Sequence, residues 1–436
     1  MKTKPIVLVL FFLFGSAIIT AQERKIMSLK EAVSLVVTNS NEAVLANTKV
    51  ATSKLELETM KNNQYPTVKV SGQYLRLTGA NVNSHLGGSG TGLDVSQLLL
   101  GQANVSMPIF SGFKLKNSIA ASENLYQAQT FTASHTKEGL ALEVVELFAN
   151  LYKSQEMVKL LNENIKSAQQ RTKDFSAMVD NGLLARNDLL KTQLQESNLE
   201  LSLATAVKNV NVVNYQLATL LRLPENTIID IDIETVKSDM AKNQLLTTNA
   251  LRNDLEALSF QQKATEAGIK IAKAGYYPSL ALTGGYIALD LKNVISVSNA
   301  MNFGVGFNYD LSSIFKNGKE VKLAKSKADQ TKQAIAILSD KIKEETQQAQ
   351  ENYTLSLKQN KVYALSVEQS TENYRIIKDK YDNSLANTND LLEADVQQLQ
   401  SKINLALCQA DIALKYYQLQ FASGKLINSF NLSTTK

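Results

Sequence analysis

Few residues of this chain have the types and spacings that make or break bonds. The histidines are His85 and His135, far apart and without nearby Cys or carboxylate clusters at metal-ligand spacing. The single cysteine, Cys408, sits in a helical apolar pattern and cannot form an intramolecular disulfide. No phosphate loop, nucleophile elbow or His-based triad occurs, so neither a metal nor a cofactor is expected and an enzyme is the least favoured class. The residues that invite a chemical reading are acids. Asp390 and Glu393 lie three apart where a helix begins, hence on one face. Asp188 stands at the start of an earlier helix, with Lys191 three residues on. Acids are favoured at a helix N-terminus by its dipole, which accounts for such residues without further function.

The elements that hold these acids occur twice. The stretch Gln64 to Tyr74 returns 212 residues later as Tyr276 to Tyr286, with Tyr65, Pro66, Gly72 and Tyr74 recurring as Tyr277, Pro278, Gly284 and Tyr286. Further on, Asp180-Asn181 matches Asp382-Asn383 and Asp188-Leu189-Leu190 matches Asp390-Leu391-Leu392, at an offset of 202. The drop in offset corresponds to a loop about ten residues longer after the first strand.

Residues 1–21 read as a secretory signal, with Lys2 and Lys4 as the charged start, Ile6 to Phe14 as the apolar middle and Ala21 as a cleavage point. The absence of a Cys near residue 21 argues against a lipid anchor. No later run is apolar enough for a membrane helix. The formal charge of +5 falls to +3 without the two signal lysines, too little and too dispersed for nucleic-acid binding.

The first repeat, 22–223, divides into helices at about 29–63, 113–180 and 187–221 and strands at about 66–78 and 96–110. Pro66 ends the first helix, and Val68, Val70, Gly72 and Tyr74 then alternate with Lys69, Ser71 and Gln73, a strand with one apolar and one wet side. Gly79 to Gly92 reads as a loop. The helix of 113–180 would span roughly 100 Å, and Val144, Leu147, Leu151, Val158, Leu161 and Ile165 give it coiled-coil spacing. A linker covers 224–248, with strand character from Thr227 to Ile233. The second repeat, 249–424, has helices at about 250–275, 318–381 and 388–424 and strands at about 278–290 and 301–311; a polar tail, 425–436, reads as disordered. In the last long helix Leu392, Val396, Leu399, Ile403, Ala406, Ala410, Ala413 and Tyr417 form a heptad seam. Tyr74, Tyr286, Phe303 and Phe307 suit an aromatic girdle.

The fold class expected is therefore mixed α and transmembrane β. Four strands leave two open edges, which hydrocarbon does not tolerate, so other copies must close the sheet; three chains give twelve strands. The alternative is a non-channel structural or adhesive coiled-coil envelope protein.

These features resemble the TolC family of outer-membrane efflux proteins over nearly the whole mature chain. The resemblance rests on the duplicated helix-Tyr-Pro-strand unit, on Pro108 to Gly112 leaving the second strand, on the junction prolines Pro66, Pro108 and Pro278, and on the turns Asn181-Gly182-Leu183 and Asn383-Ser384-Leu385. It implies a homotrimer with a twelve-stranded outer-membrane barrel and a helical coiled-coil periplasmic tunnel. The implied partners are a periplasmic adaptor (membrane fusion) protein and an inner-membrane transporter. It further implies that the turns form a closed tip, that Asp188 and Tyr381 are a hydrogen-bonded gate pair, and that Asp390 and Glu393 ring the constriction. Ala386 falls where the best-known member carries an arginine of the closing network, and Ser384 replaces a common tip glycine.

Overall fold

The computed structural model describes residues 24–82, 93–242, 252–292 and 295–432. The signal segment, His85, most of the glycine-rich loop and the end of the linker lie outside them. The chain divides into two compact units; residues up to Ser40, Glu143–Leu246 and Tyr353–Tyr417 form the first, and Asn41–Leu142, Thr247–Asn352 and the C-terminus from Gln418 the second.

In the first unit, β1 (Arg24–Met27) pairs in parallel with β4 (Ile228–Ile231), Arg24 opposite Ile228. On β4, Asn214 Nδ2 donates to the Thr227 carbonyl and Asn214 Oδ1 accepts from the Ile229 N–H, both at 2.8 Å, so a helix side chain serves part of the short strand's polar backbone. Helix α1 (Leu29–Asn39) starts at Ser28, whose Oγ accepts from the Glu31 N–H at 3.2 Å; Ser-x-x-Glu before an apolar run is the sequence mark of such a start. Met27, Val33, Val36, Val144, Leu151, Leu217 and Ile229 are fully buried here. A short helix, α5 (Ile233–Lys242), follows β4. Sequence alternation over four residues is too brief to announce β1, and α5 occupies what reads as linker.

The second unit holds α2 (Asn41–Asn62), α6 (Asn253–Ala274) and one antiparallel sheet. The helix expected over 29–63 is broken at Ser40, which adopts an extended conformation (ψ 150); Ser and Asn compete with helical hydrogen bonding through their own side chains. Small residues line the buried stripes of α2 (Ala43, Ala46, Ser53) and of α6 (Ala257, Ala264, Ala267, Ala274). Arg252, at the start of α6, donates to Asp254 at 2.7 Å and Glu345 at 2.6 Å.

The sheet order is β2 (Thr67–Val82), β3 (Leu93–Ser111), β5 (Ser279–Leu291), β6 (Ile295–Asn308). β2 runs on into the expected loop as far as Val82, because pairing resumes at Ala80 opposite Val95 after a register shift. Pro66 and Pro278 stand just before β2 and β5, as the repeat requires. Pro108 is different: it lies inside β3, where the register with β5 shifts before Phe110. A bulge is where a strand tolerates a residue without an N–H. Gly112 follows at φ 62, and a Cβ there would meet the Ala274 carbonyl oxygen at 2.6 Å, so only glycine fits this passage from strand to helix.

Helices α3 (Lys114–Asp180) and α7 (Ser313–Asp382) contribute to both units, and return through α4 (Arg186–Leu220) and α8 (Thr388–Ala422). The segment read as a polar tail is corrected over its described part: α9 (Leu426–Ser429) packs there, with Leu426, Ile427 and Phe430 buried.

Glu138 on α3 is buried. Burial pushes its carboxyl up to about 7, with Asp254 adding repulsion and the hydrogen bond with Asn253 and the Arg252 charge opposing the rise. A raised folded-state value means that the folded chain holds the proton more tightly than the unfolded chain. Its stabilisation is complete below pH 4.5 and is lost as pH rises through about 7, a loss of about 3 kcal/mol. Glu138→Gln should remove that slope in unfolding followed by circular dichroism from pH 4.5 to 8; an unchanged slope would show that Glu138 is not its source.

Candidate functional site: the amphipathic sheet and the hairpin turns

The pairing register sorts the strand residues onto two faces. One carries Val68, Val70, Gly72 and Tyr74 of β2, Leu99, Ala103, Val105 and Met107 of β3, Leu280, Leu282 and Tyr286 of β5, and Met301, Phe303, Val305 and Phe307 of β6. Phe303 is 90% exposed and Val70 81%. The rows run from Leu280–Phe307 at the helix side to Leu99–Asp290 at the loop side, eleven residues along β5. That is the length of a tilted membrane strand. Phe307 and Tyr74 stand in the outer rows; Phe303 and Tyr286 stand in the two central ones.

The opposite face carries Lys69, Ser71, Gln73, Gln102, Asn104, Ser106, Thr283 and Asn302. Toward the loops it turns apolar at Leu75, Leu98 and Leu289. β2 and β6 are the two open edges of the sheet. None of the described helices is long and apolar enough to cross a membrane.

The two hairpin turns are built alike. Gly182 N–H donates to the Val179 carbonyl and Leu183 N–H to that of Met178; Ser384 and Leu385 repeat this with Tyr381 and Lys380. Asn181 Nδ2 and Asn383 Nδ2 each donate to the carbonyl four residues back at 2.7 Å. Gly182 has φ 71 and Ser384 φ 61, the left-handed residue that such a helix end requires. Arg222 and Gly424 close α4 and α8 the same way, 202 residues apart. Leu183 and Leu385 are exposed at the turn apices.

Asp188 and Tyr381 both line one cavity of about 550 Å³, with Ala386 on its wall. They do not hydrogen-bond to each other within the chain. Asp188 Oδ1 accepts from Lys191 Nζ at 3.4 Å, and the Tyr381 ring stacks on Phe175 with centroids 5.7 Å apart. Lys191, three residues on, is the cation beside Asp188.

Asp390 and Glu393 are exposed on α8. Asp390 also caps that helix: its carboxylate accepts from the Asn387 N–H at 3.2 Å, and Asn387 Oδ1 accepts from the Asp390 N–H at 3.0 Å. Glu393 and Lys191 line a second cavity of about 620 Å³ with Leu194, Leu392, Val396 and Leu399. The stripe read as the seam of α8 therefore opens onto a groove at this end, where Leu391, Ala394 and Asp395 are the buried residues instead.

Sequence reading missed a buried pair. Arg171 Nη1 of α3 donates to Asp395 Oδ2 of α8 at 2.9 Å, and Gln195 Nε2 of α4 donates to the same oxygen at 3.2 Å. Asp395 interrupts an apolar stripe, which is the only local signal; its partner is 224 residues away.

A sheet of membrane-strand length with one apolar face, together with duplicated helical hairpins in the same chain, defines an outer-membrane channel type of fold. A family model described as outer membrane efflux protein matches residues 46–221 and 247–425. The chain belongs to the outer membrane efflux protein family, and the TolC-family resemblance read from its residues holds. The outer membrane efflux protein BepC of Brucella suis biovar 1 (strain 1330) is 19% identical over 238 residues, 54% of this chain and 52% of BepC. The chain thus spans about half the length of that relative. Among solved structures, the outer membrane protein VceC of Vibrio cholerae aligns with TM-score 0.76 and 14% identity over 91% of this chain and 96% of VceC. The Campylobacter jejuni CmeC outer membrane channel aligns with TM-score 0.76 and 18% identity over 91% of this chain and 86% of CmeC. At these identities the likeness is one of fold. The protein is located in the outer membrane and extends into the periplasm.

Proposed function

We propose that three copies close their strands into one twelve-stranded barrel and that their helices form a periplasmic tunnel. The protein is then a passive exit duct for substrates delivered by an inner-membrane transporter through a periplasmic adaptor. It makes no bond; the transporter supplies the energy. The observation that carries this reading is the sheet itself. Its apolar face needs hydrocarbon, its polar face needs water, and its open edges β2 and β6 need partners. The groove along Leu194, Leu392, Val396 and Leu399 supports it from the helical side, as a second seam for a neighbouring copy.

In this reading the two turns close the tunnel. Asp188 and Tyr381, which line one cavity, are the gate pair that would meet when the tip closes, and Asp390 and Glu393 would ring the opening. A structural envelope protein has no use for an exposed apolar sheet face of membrane-strand length. Crosslinking of outer-membrane fractions should give a ladder ending at three chains. A monomer in the soluble periplasm would end the proposal.

A further inference from the structure

We propose that Arg171, Asp395 and Gln195 form a latch that ties the first helical hairpin to the second above the turns. The latch adds a closing contact to that of Asp188 and Tyr381, and so rests on the reading of the turns as the closing end of a duct.

The pair joins α3 of one hairpin to α8 of the other, with Gln195 of α4 on the same carboxylate and Tyr374 of α7 beside the guanidinium, so all four helices meet there. The Arg171 side chain is 10% exposed and that of Asp395 4%. Arg171 lies nine residues before the end of α3 and Asp395 seven after the start of α8, roughly 10–14 Å along the helices from the turns. Any widening that parts the hairpins at the turns must stretch this contact or carry it along.

The pair is not a product of the duplication. At the offset of 202 that aligns the turns, Arg171 corresponds to Asn373 and Asp395 to Gln193. The charges therefore belong to one inter-hairpin contact rather than to each hairpin separately. The network also has slack. Arg171 Nη2 and Gln195 Oε1 are buried and find no partner among the described residues. One is a donor and the other an acceptor.

A buried ion pair fixes position through directed hydrogen bonds, whereas apolar packing of similar volume supports the fold without that constraint. Arg171→Met with Asp395→Leu separates the two roles. In the full-length trimer in planar bilayers, this variant should keep wild-type assembly and melting temperature within a few degrees, and raise closed-state conductance at least about twofold. The exchange Arg171→Asp with Asp395→Arg should bring conductance back toward wild type. If Met/Leu fails to assemble, Asp395→Asn is read by the same criterion. Asp188→Ala with Tyr381→Phe serves as the gate control. Should the control raise conductance while the latch variants leave it unchanged, the latch is wrong and the gate stands. If neither pair of changes alters conductance, the closing-end reading falls and the latch with it.

Discussion

Arginine in place of Phe303 is expected to keep the chain from assembling in the outer membrane. Phe303 lies in a central row of the apolar face and is 90% exposed. A cationic side chain facing lipid near the bilayer midplane costs about 2–4 kcal/mol. Three copies in one barrel would carry about three times that, comparable with the whole stability of a typical domain. Asn302 is the control. It is the preceding residue on β6 and points to the other face, opposite Gly285. Asn302→Arg should assemble normally, because its charge would meet water. The readout is the trimer band in isolated outer membranes. Loss with Asn302→Arg and retention with Phe303→Arg would mean that the two faces are assigned the wrong way round.

The second large effect is expected at the turns. In the proposed trimer, threefold symmetry would make six carboxylates of Asp390 and Glu393 around one opening, and such a ring favours cations and binds multivalent ones. A trivalent cation applied from the periplasmic side should block current. Because Asp390 also caps α8 through Asn387, the informative change is Asp390→Asn with Glu393→Gln, which removes charge and keeps the acceptors. Block should weaken at least about tenfold, equivalent to about 1.4 kcal/mol. Lys191, which shares a cavity with Glu393, offsets part of the ring's charge, so Lys191→Gln should tighten the block. If the trivalent cation blocks the Asn/Gln variant at the same concentration, Asp390 and Glu393 are helix-start acids and nothing more.

The elements that sequence exposes are those with a long period and a marked end. Val68 to Tyr74 alternates because one face meets apolar surroundings and the other does not. The turns at Asn181 and Asn383 are legible because a left-handed residue and an amide cap must follow the last helical turn, and Ser384 meets the same demand as Gly182. What is short or long-range is not legible in this way. β1 is four residues long and exists because β4, two hundred residues away, pairs with it. Ser40 breaks a pattern that is apolar on both sides of it. The burial of α8 near its start is shifted by one residue from the heptad, because Asp395 turns inward to Arg171. Leu426, Ile427 and Phe430 pack at a chain end whose composition reads as polar.

Of the candidate site, the placement of Asp188 and Tyr381 about one cavity follows from matched turns. The counter-ion does not: Ala386 is uncharged, and the cation beside Asp188 is Lys191, one helical turn along α4. An i, i+3 acid–base pair is common enough on helix surfaces to carry no message by itself. The latch residues are hidden for the same reason that makes them specific. Each is an ordinary charge in its own helix, and only the fold brings them together.

In the proposed trimer, closed sheets of this chain form a water-filled path across the outer membrane. Single-channel recording of the purified, crosslinked trimer in planar bilayers would detect that path. The expected result is discrete cation-preferring openings of uniform size, present for the trimer and absent for the monomer. An intact bilayer with no current after verified insertion of the trimer would contradict it, and would leave a structural envelope protein as the reading of this fold.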